Sequence, residues 1–200
     1  MPSREGLPVE LVDEAGRAIG ECRVDEAHQP PGRLHRAFSV LLREPSAPLS
    51  ASRVLLQQRA SVKTRFSLRW ANTCCGHPAP GQPVAAAAND RLRDELGVGP
   101  LALTEIGTFV YRAQDPTTGR LEYEYDHVLV GELSADQPLH PSPGEVADLR
   151  WIDLTQLRSE LQTNPDIYTP WLAGVTETYA RWVFGDRSDG SDVSGGASTG

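Results

Sequence analysis

Apolar and polar positions along the chain switch between two rhythms, one of period two and one close to 3.6. "PVELV" (8–12) alternates toward a strand, and "DEAGRAIG" reads as a turn into a second short strand. "HRAFSVLLRE" (35–44) and "RVLLQQRA" (53–60) predict two strands joined by the Pro- and Ser-rich loop "PSAPLSAS". "VAAAANDRLRDELGV" (84–98) is Ala-rich, sets Leu92 and Leu96 four apart and ends at Gly97, so it predicts a helix with a glycine C-cap. "LTEIGTFVYRA" (103–113) and "LEYEYDHVLVGEL" (121–133) predict strands around the turn "QDPTTG". "LRWIDL" (149–154) begins as a strand and "TQLRSELQ" follows as a helix, while "TPWLAGVTETYARWVF" (169–184) has the spacing of a final packed helix. No internal repeat is present. Strands outnumber helices, and the clearest helix sits between strand pairs, which predicts a mixed α/β sandwich in one domain over residues 8–184. Residues 1–7 are expected to be a flexible lead-in. "GDRSDGSDVSGGASTG" (185–200) has almost nothing apolar and is expected to be a disordered Gly/Ser/Asp tail.

Composition narrows the function classes. A chain of 200 residues can build a real core without staples. Its net charge of −8 argues against a nucleic-acid partner, which needs clustered Lys and Arg. Local basic groups can still serve a small phosphorylated ligand. The start, "MPSREGLPVELVDE", has no apolar core after its Arg, so no leader is expected, and no apolar run approaches the ~18 residues of a membrane span. The cysteine count of 3, odd and without framework spacing, favours a reduced, cytoplasmic setting.

His28 and His35 flank "QPPGRL", and His77 lies in "NTCCGHP" (72–78); three imidazoles with carboxylates suit a divalent metal of intermediate hardness. Glu122 and Glu124, two apart on a predicted strand, share one face, with Tyr123 and Tyr125 on the other. Taken alone, the pair reads as a strand with a solvated acidic face; it is the number of further candidate ligands that points to a site. Cys74 and Cys75 are adjacent, which is wrong for a zinc clip with C-x2-C spacing. Cys74 reads as a small buried hydrophobe, whereas Cys75 is open between packing and an acid/base or nucleophilic thiol. Arg59, Lys63, Arg65, Arg69 and Arg91 form the local basic group; a small polyanion suits it, and Arg65 and Arg69 read as surface charges.

The stretch Gly76–Val98, "GHPAPGQPVAAAANDRLRDELGV", has the length and ending of a Nudix box, but Gln82, Asp90 and Arg91 stand where that box has Glu, Arg and Glu. Asp94 and Glu95 keep its acidic pair. With "AHQPPGRLHRAFSV", "LEYE" and "TPW" in the same order, the chain over about residues 8–184 resembles the type I isopentenyl-diphosphate isomerases, a branch of the Nudix superfamily. The resemblance implies a Nudix-type α/β/α sandwich with a mixed central sheet and a small prenyl diphosphate substrate, with no nucleic acid or membrane partner, in a monomer or weak homodimer. It implies Mg2+ or Mn2+ held by His28, His35, His77, Glu122 and Glu124. Cys75 and Glu124 would be the acid/base pair, tuned by Tyr111, with Trp171 facing the cationic carbon. Arg59, Lys63 and Arg91 would hold the diphosphate, and Glu95 a second Mg2+ shared with it.

Some positions depart from the family pattern. Val24 stands at a usual lysine, with Arg23 beside it as the candidate to compensate, and Leu68-Arg69 replaces a usual Pro-Gly. A modified or larger prenyl diphosphate is therefore an alternative substrate. The rivals are a Nudix diphosphohydrolase and a non-catalytic metal- or ligand-binding relative.

Overall fold

The computed structural model describes residues 4–45 and 53–185. Its strands are β1 (Pro8–Val12), β2 (Ala18–Arg23), β3 (His35–Arg43), β4 (Arg53–Arg59), β5 (Trp70–Ala71), β6 (Cys74–Gly76), β7 (Thr104–Gln114), β8 (Leu121–Glu132) and β9 (Val146–Asp153). The helices are α1 (Val24–Ala27), α2 (Val84–Leu96), α3 (Leu154–Thr163) and α4 (Leu172–Phe184). The predicted long elements all form. Short α1, β5 and β6 carry too few residues to register a period and were not expected.

β3 is the hub of the sheet. It runs parallel to β8 over its whole length, and its other edge is shared by β1 at His35, β6 at Phe38–Val40 and β4 at Leu42–Arg43. β7 extends the sheet beyond β8, and β9 pairs antiparallel with β4. Because side chains alternate across a strand, the sheet feeds two cores. Leu41, Val54, Leu56, Val128 and Val130 pack with α3 and α4 residues such as Leu157, Leu172 and Val175. Val40, Leu42, Leu55 and Leu129 point the other way onto Ala88, Leu92 and Leu96 of α2. Helices thus cover both faces of a mixed sheet, the α/β/α sandwich expected.

Local chemistry sets the ends. Gly97 closes α2 at φ 69°, a left-handed conformation glycine adopts without a Cβ clash, and its N–H bonds the Arg93 carbonyl. Asp153 caps α3 by accepting from the Gln156 amide at 2.7 Å. The lead-in expected over residues 1–7 is described from Arg4 onward. Arg4–Gly6 form a 3₁₀ turn, and the Val24 amide donates to the Leu7 carbonyl at 2.9 Å. The tail expected over 185–200 lies, after Gly185, outside the described residues, as does most of the loop expected over 45–52. No helix among the described residues is long and apolar enough to cross a membrane.

Candidate active site

Sheet register assembles the site on the α4 face. Glu124 of β8 has His35 of β3 as its neighbour on one side and Tyr111 of β7 on the other. In-register partners project to the same face, so all three meet there. Cys75 of β6 is the partner of Ser39, which lies four residues on from His35 and therefore on that face too. The adjacent cysteines are divided by the pleat: Cys74 is fully buried among the α2-side apolar residues, while Cys75 packs toward α4. His77 follows β6, and His28 follows α1.

The histidine Nε2 atoms and the Glu124 carboxylate converge. Ligand atoms of His28, His35, His77 and Glu124 all lie within 4.8 Å of one another. Nδ1 of His28 donates to the Val24 carbonyl at 2.6 Å and Nδ1 of His35 to the Arg33 carbonyl at 2.7 Å, which turns both Nε2 atoms inward. Nε2 of His35 is buried without a hydrogen-bond partner, with Oε1 of Glu124 at 3.5 Å. Oε1 also faces His77 at 2.8 Å, and Glu122 takes His28 at 2.8 Å. Three inward nitrogens with carboxylate oxygen, one nitrogen left unsatisfied, fit a divalent cation. The acidic face of β8 is thus the buried one; Tyr123 and Tyr125 are the more exposed.

Burial opposes charge throughout this cluster, and specific partners decide who keeps it. It would raise the Glu124 carboxyl, but the three imidazoles around it hold it well below the usual range. Burial would lower His28, but Glu122 lifts it to about 9. Burial wins at His77, which falls to about 4 and stays neutral. It also pushes the Cys75 thiol up to about 12 and Tyr111 well above 10, so both keep their protons at neutral pH. The Tyr111 hydroxyl donates to Oε2 of Glu124 at 2.5 Å. Asp126, further along β8, is likewise pushed well up by burial and accepts from Ser39 at 2.7 Å.

A cavity of about 230 Å3 opens onto Cys75, His77, Tyr111, Glu122, Glu124 and Trp171, with Arg59, Lys63 and Arg91 also in its walls. Arg59 lies over the Trp171 ring at 5.4 Å and donates to Cys75 Sγ at 3.8 Å. Lys63 pairs with Glu145 at 2.5 Å, and Arg91 with Glu145 at 3.2 Å. Arg91 reaches the cavity from α2 over Gly76, where a Cβ would meet the Phe38 ring at 3.1 Å and Arg91 Cγ at 3.4 Å. Glu95 is not brought to the histidine cluster. It is buried, ion-paired with Arg91, and accepts from Gln57 at 3.2 Å.

Two readings need correction. Arg65 is no surface charge: it is 8% exposed, with Nε on Glu122 and Nη1 on Glu5 at 2.8 and 2.9 Å. Left-handed backbone at Phe66 (φ 45°) and Leu68 (φ 61°), with the Phe66 amide on Asp115 at 3.0 Å, turns its loop inward. Arg23 pairs with Asp25 and does not line the cavity. Glu5, Asn72 and Glu145 escaped the sequence reading. Only Asn72 left a signal, beside Trp70 and the cysteines; its Oδ1 accepts from Trp171 Nε1 at 3.0 Å and fixes the indole.

The family model for the NUDIX domain matches residues 33–172. An isopentenyl-diphosphate Delta-isomerase of Nocardia farcinica is 62% identical over 171 residues, 86% of this chain and 93% of its own. The chain belongs to the isopentenyl-diphosphate Delta-isomerase family. Isomerases of that name from Streptomyces coelicolor and Halorhodospira halophila are 43% and 40% identical, over 86% and 88% of this chain and 83% and 98% of theirs. The fold extends to remoter proteins. DR0079 from Deinococcus radiodurans aligns with a TM-score of 0.65 at 18% identity, covering 85% of this chain and 97% of its own. A MutT protein from Methanosarcina mazei aligns at 0.57 and 15%, covering 74% and 94%. In this isopentenyl-diphosphate Delta-isomerase family member, the helix of the Nudix box is α2, and what it turns to the cavity is a guanidinium.

Proposed function

We propose that the protein interconverts isopentenyl diphosphate and dimethylallyl diphosphate, a step of isoprenoid biosynthesis, with Cys75 and Glu124 as its acid/base pair. The observation that carries this reading is their joint presence on one cavity, from strands on opposite edges of β3, one holding a proton and the other not. Shifting a double bond by one position needs one proton delivered to carbon and another removed from the far side of the allylic unit. A pair that shares a single proton supplies both without net change.

The first proton transfer creates a tertiary carbocation in the substrate. Trp171, held by Asn72, offers it a π-face worth about 0.5–2 kcal/mol in a dry site. Tyr111 holds Glu124 in place with its hydroxyl and stays protonated. Arg59, Lys63 and Arg91, which line the cavity, bind the diphosphate. Mg2+ or Mn2+ on His28, His35, His77, Glu122 and Glu124 would supply electrostatic stabilisation and orientation of the carboxylate. Glu95 is a candidate for a second Mg2+ beside the diphosphate once released from Arg91.

Diphosphate hydrolysis is disfavoured because Gln82 and Arg91 stand where the Nudix box has glutamates, and α2 offers the Arg91 guanidinium to the cavity. The test is direct. Protein with Mg2+ and isopentenyl diphosphate should yield dimethylallyl diphosphate and no phosphate. Phosphate release, or no allylic product with either Mg2+ or Mn2+, overturns the reading.

A further inference from the structure

The N-terminal turn forms part of the cavity wall, together with the cations already described. Arg4, Glu5, Leu7 and Pro8 all line it. The turn is held in two ways. Its backbone is tied by the Leu7 amide to the Arg4 carbonyl at 3.0 Å and by the Val24 amide to the Leu7 carbonyl. Its side chain Glu5 accepts from Thr64, Arg65 and Arg120 at 2.9, 2.9 and 2.8 Å. Arg65 in turn holds Glu122, so the fastening of the turn runs into the carboxylate cluster.

Arg4 differs from the other cations of the cavity in the partner it has. Arg65 sits between the buried carboxylate of Glu122 and the part-buried one of Glu5, and Arg91 is tied to buried Glu95. Arg4 pairs with Asp94 at 2.6 Å, and the two side chains are 42% and 27% exposed. A pair so open to water contributes little, so a doubly charged anion entering the cavity can take the guanidinium over at small cost. A diphosphate repays the exchange through charge-assisted, bidentate hydrogen bonds.

We propose that the Arg4–Leu7 turn is a wall of the substrate site, fastened by Glu5, in which Arg4 binds the diphosphate group. That the anion belongs to a prenyl diphosphate rests on the isomerase reading above; that the turn binds a diphosphate does not.

The experiment uses the full chain with Mg2+, measuring binding of inorganic pyrophosphate by calorimetry and turnover of isopentenyl diphosphate. Arg4→Ala should weaken pyrophosphate binding and raise KM by roughly tenfold to hundredfold, the value of a lost charge-assisted contact. It should leave kcat and the unfolding temperature nearly unchanged, and Arg4→Lys should recover part of the loss. Glu5→Gln should weaken pyrophosphate binding and speed amide exchange at residues 4–7. Pyrophosphate affinity and KM unchanged in Arg4→Ala overturn the proposal. If the wild type shows no isomerisation, the isomerase reading fails, and the pyrophosphate titration of Arg4→Ala still decides for or against the turn.

Discussion

Tyr111 and Glu124 are register partners on β7 and β8, and the phenol donates to Oε2 while Oε1 faces the imidazoles. The carboxylate is therefore held from two sides by groups that leave its charge intact. Tyr111→Phe removes one hydrogen bond and no volume to speak of. It should lower kcat by on the order of 10- to 100-fold with KM little changed, since the lost contact bears on the reacting group and not on the diphosphate. Steady-state kinetics at several pH values check this; a change confined to KM would contradict the role given to Tyr111.

The two cysteines should separate cleanly. Cys75→Ala is expected to abolish isomerisation while the protein still folds, because the thiol borders the cavity. Cys74→Ala should keep turnover and lose about 1–2 kcal/mol of stability through a small void beside α2. Urea unfolding and product analysis on both variants provide the check, and equal loss of turnover in the two would refute the division.

Arg65 makes a stability prediction opposite to the one its sequence context suggested. Its side chain is 10% exposed and stands between Glu122 and Glu5. Arg65→Ala takes a charged partner from the buried Glu122 carboxylate, which costs about 3 kcal/mol. Arg69→Ala removes a single 3.2 Å hydrogen bond to the Tyr168 carbonyl and a ring contact, and should cost much less. Chemical denaturation of both variants at neutral pH tests the contrast.

Glu145 predicts a pH dependence. Burial would raise its carboxyl, but Lys63 and Arg91 hold it below its ordinary value of 4.5. A carboxylate with a depressed folded pKa contributes stability that is present above the unfolded value and lost as pH falls through the folded one. Wild type should therefore lose stability more steeply below about pH 4.5 than Glu145→Gln does. Unfolding curves from pH 6 down to 3 give the comparison; parallel slopes would show that Glu145 is not held this way.

How much the chain revealed before its fold was known depended on the range of the interaction. Alternation in "LEYEYDHVLVGEL" placed Glu122 and Glu124 on one face, because a strand's period is local. It did not say whether that face was wet or buried, since the answer lies in β3 and β7 on either side. The helix ending in Gly97 was legible for the same local reason. Arg65 was misread because its loop carries no apolar period; the inward turn comes from left-handed backbone at Phe66 and Leu68 and from Asp115, 49 residues away.

The sequence by itself determined the long elements, the alternation that sets Glu122 and Glu124 on one face, and a set of residue types suited to metal, proton transfer and diphosphate. Their spacing along the chain limits what backbone geometry can do nearby, and that much needs no partner. Tertiary structure decided which of them meet. His28 and Glu122 are 94 positions apart yet hydrogen-bonded, and Glu5 crosses 115 positions to reach Arg120. Parallel pairing of β3 with β8 sets His35 beside Glu124, and only the assembled fold buries them deeply enough for specific partners to fix which groups keep their charge.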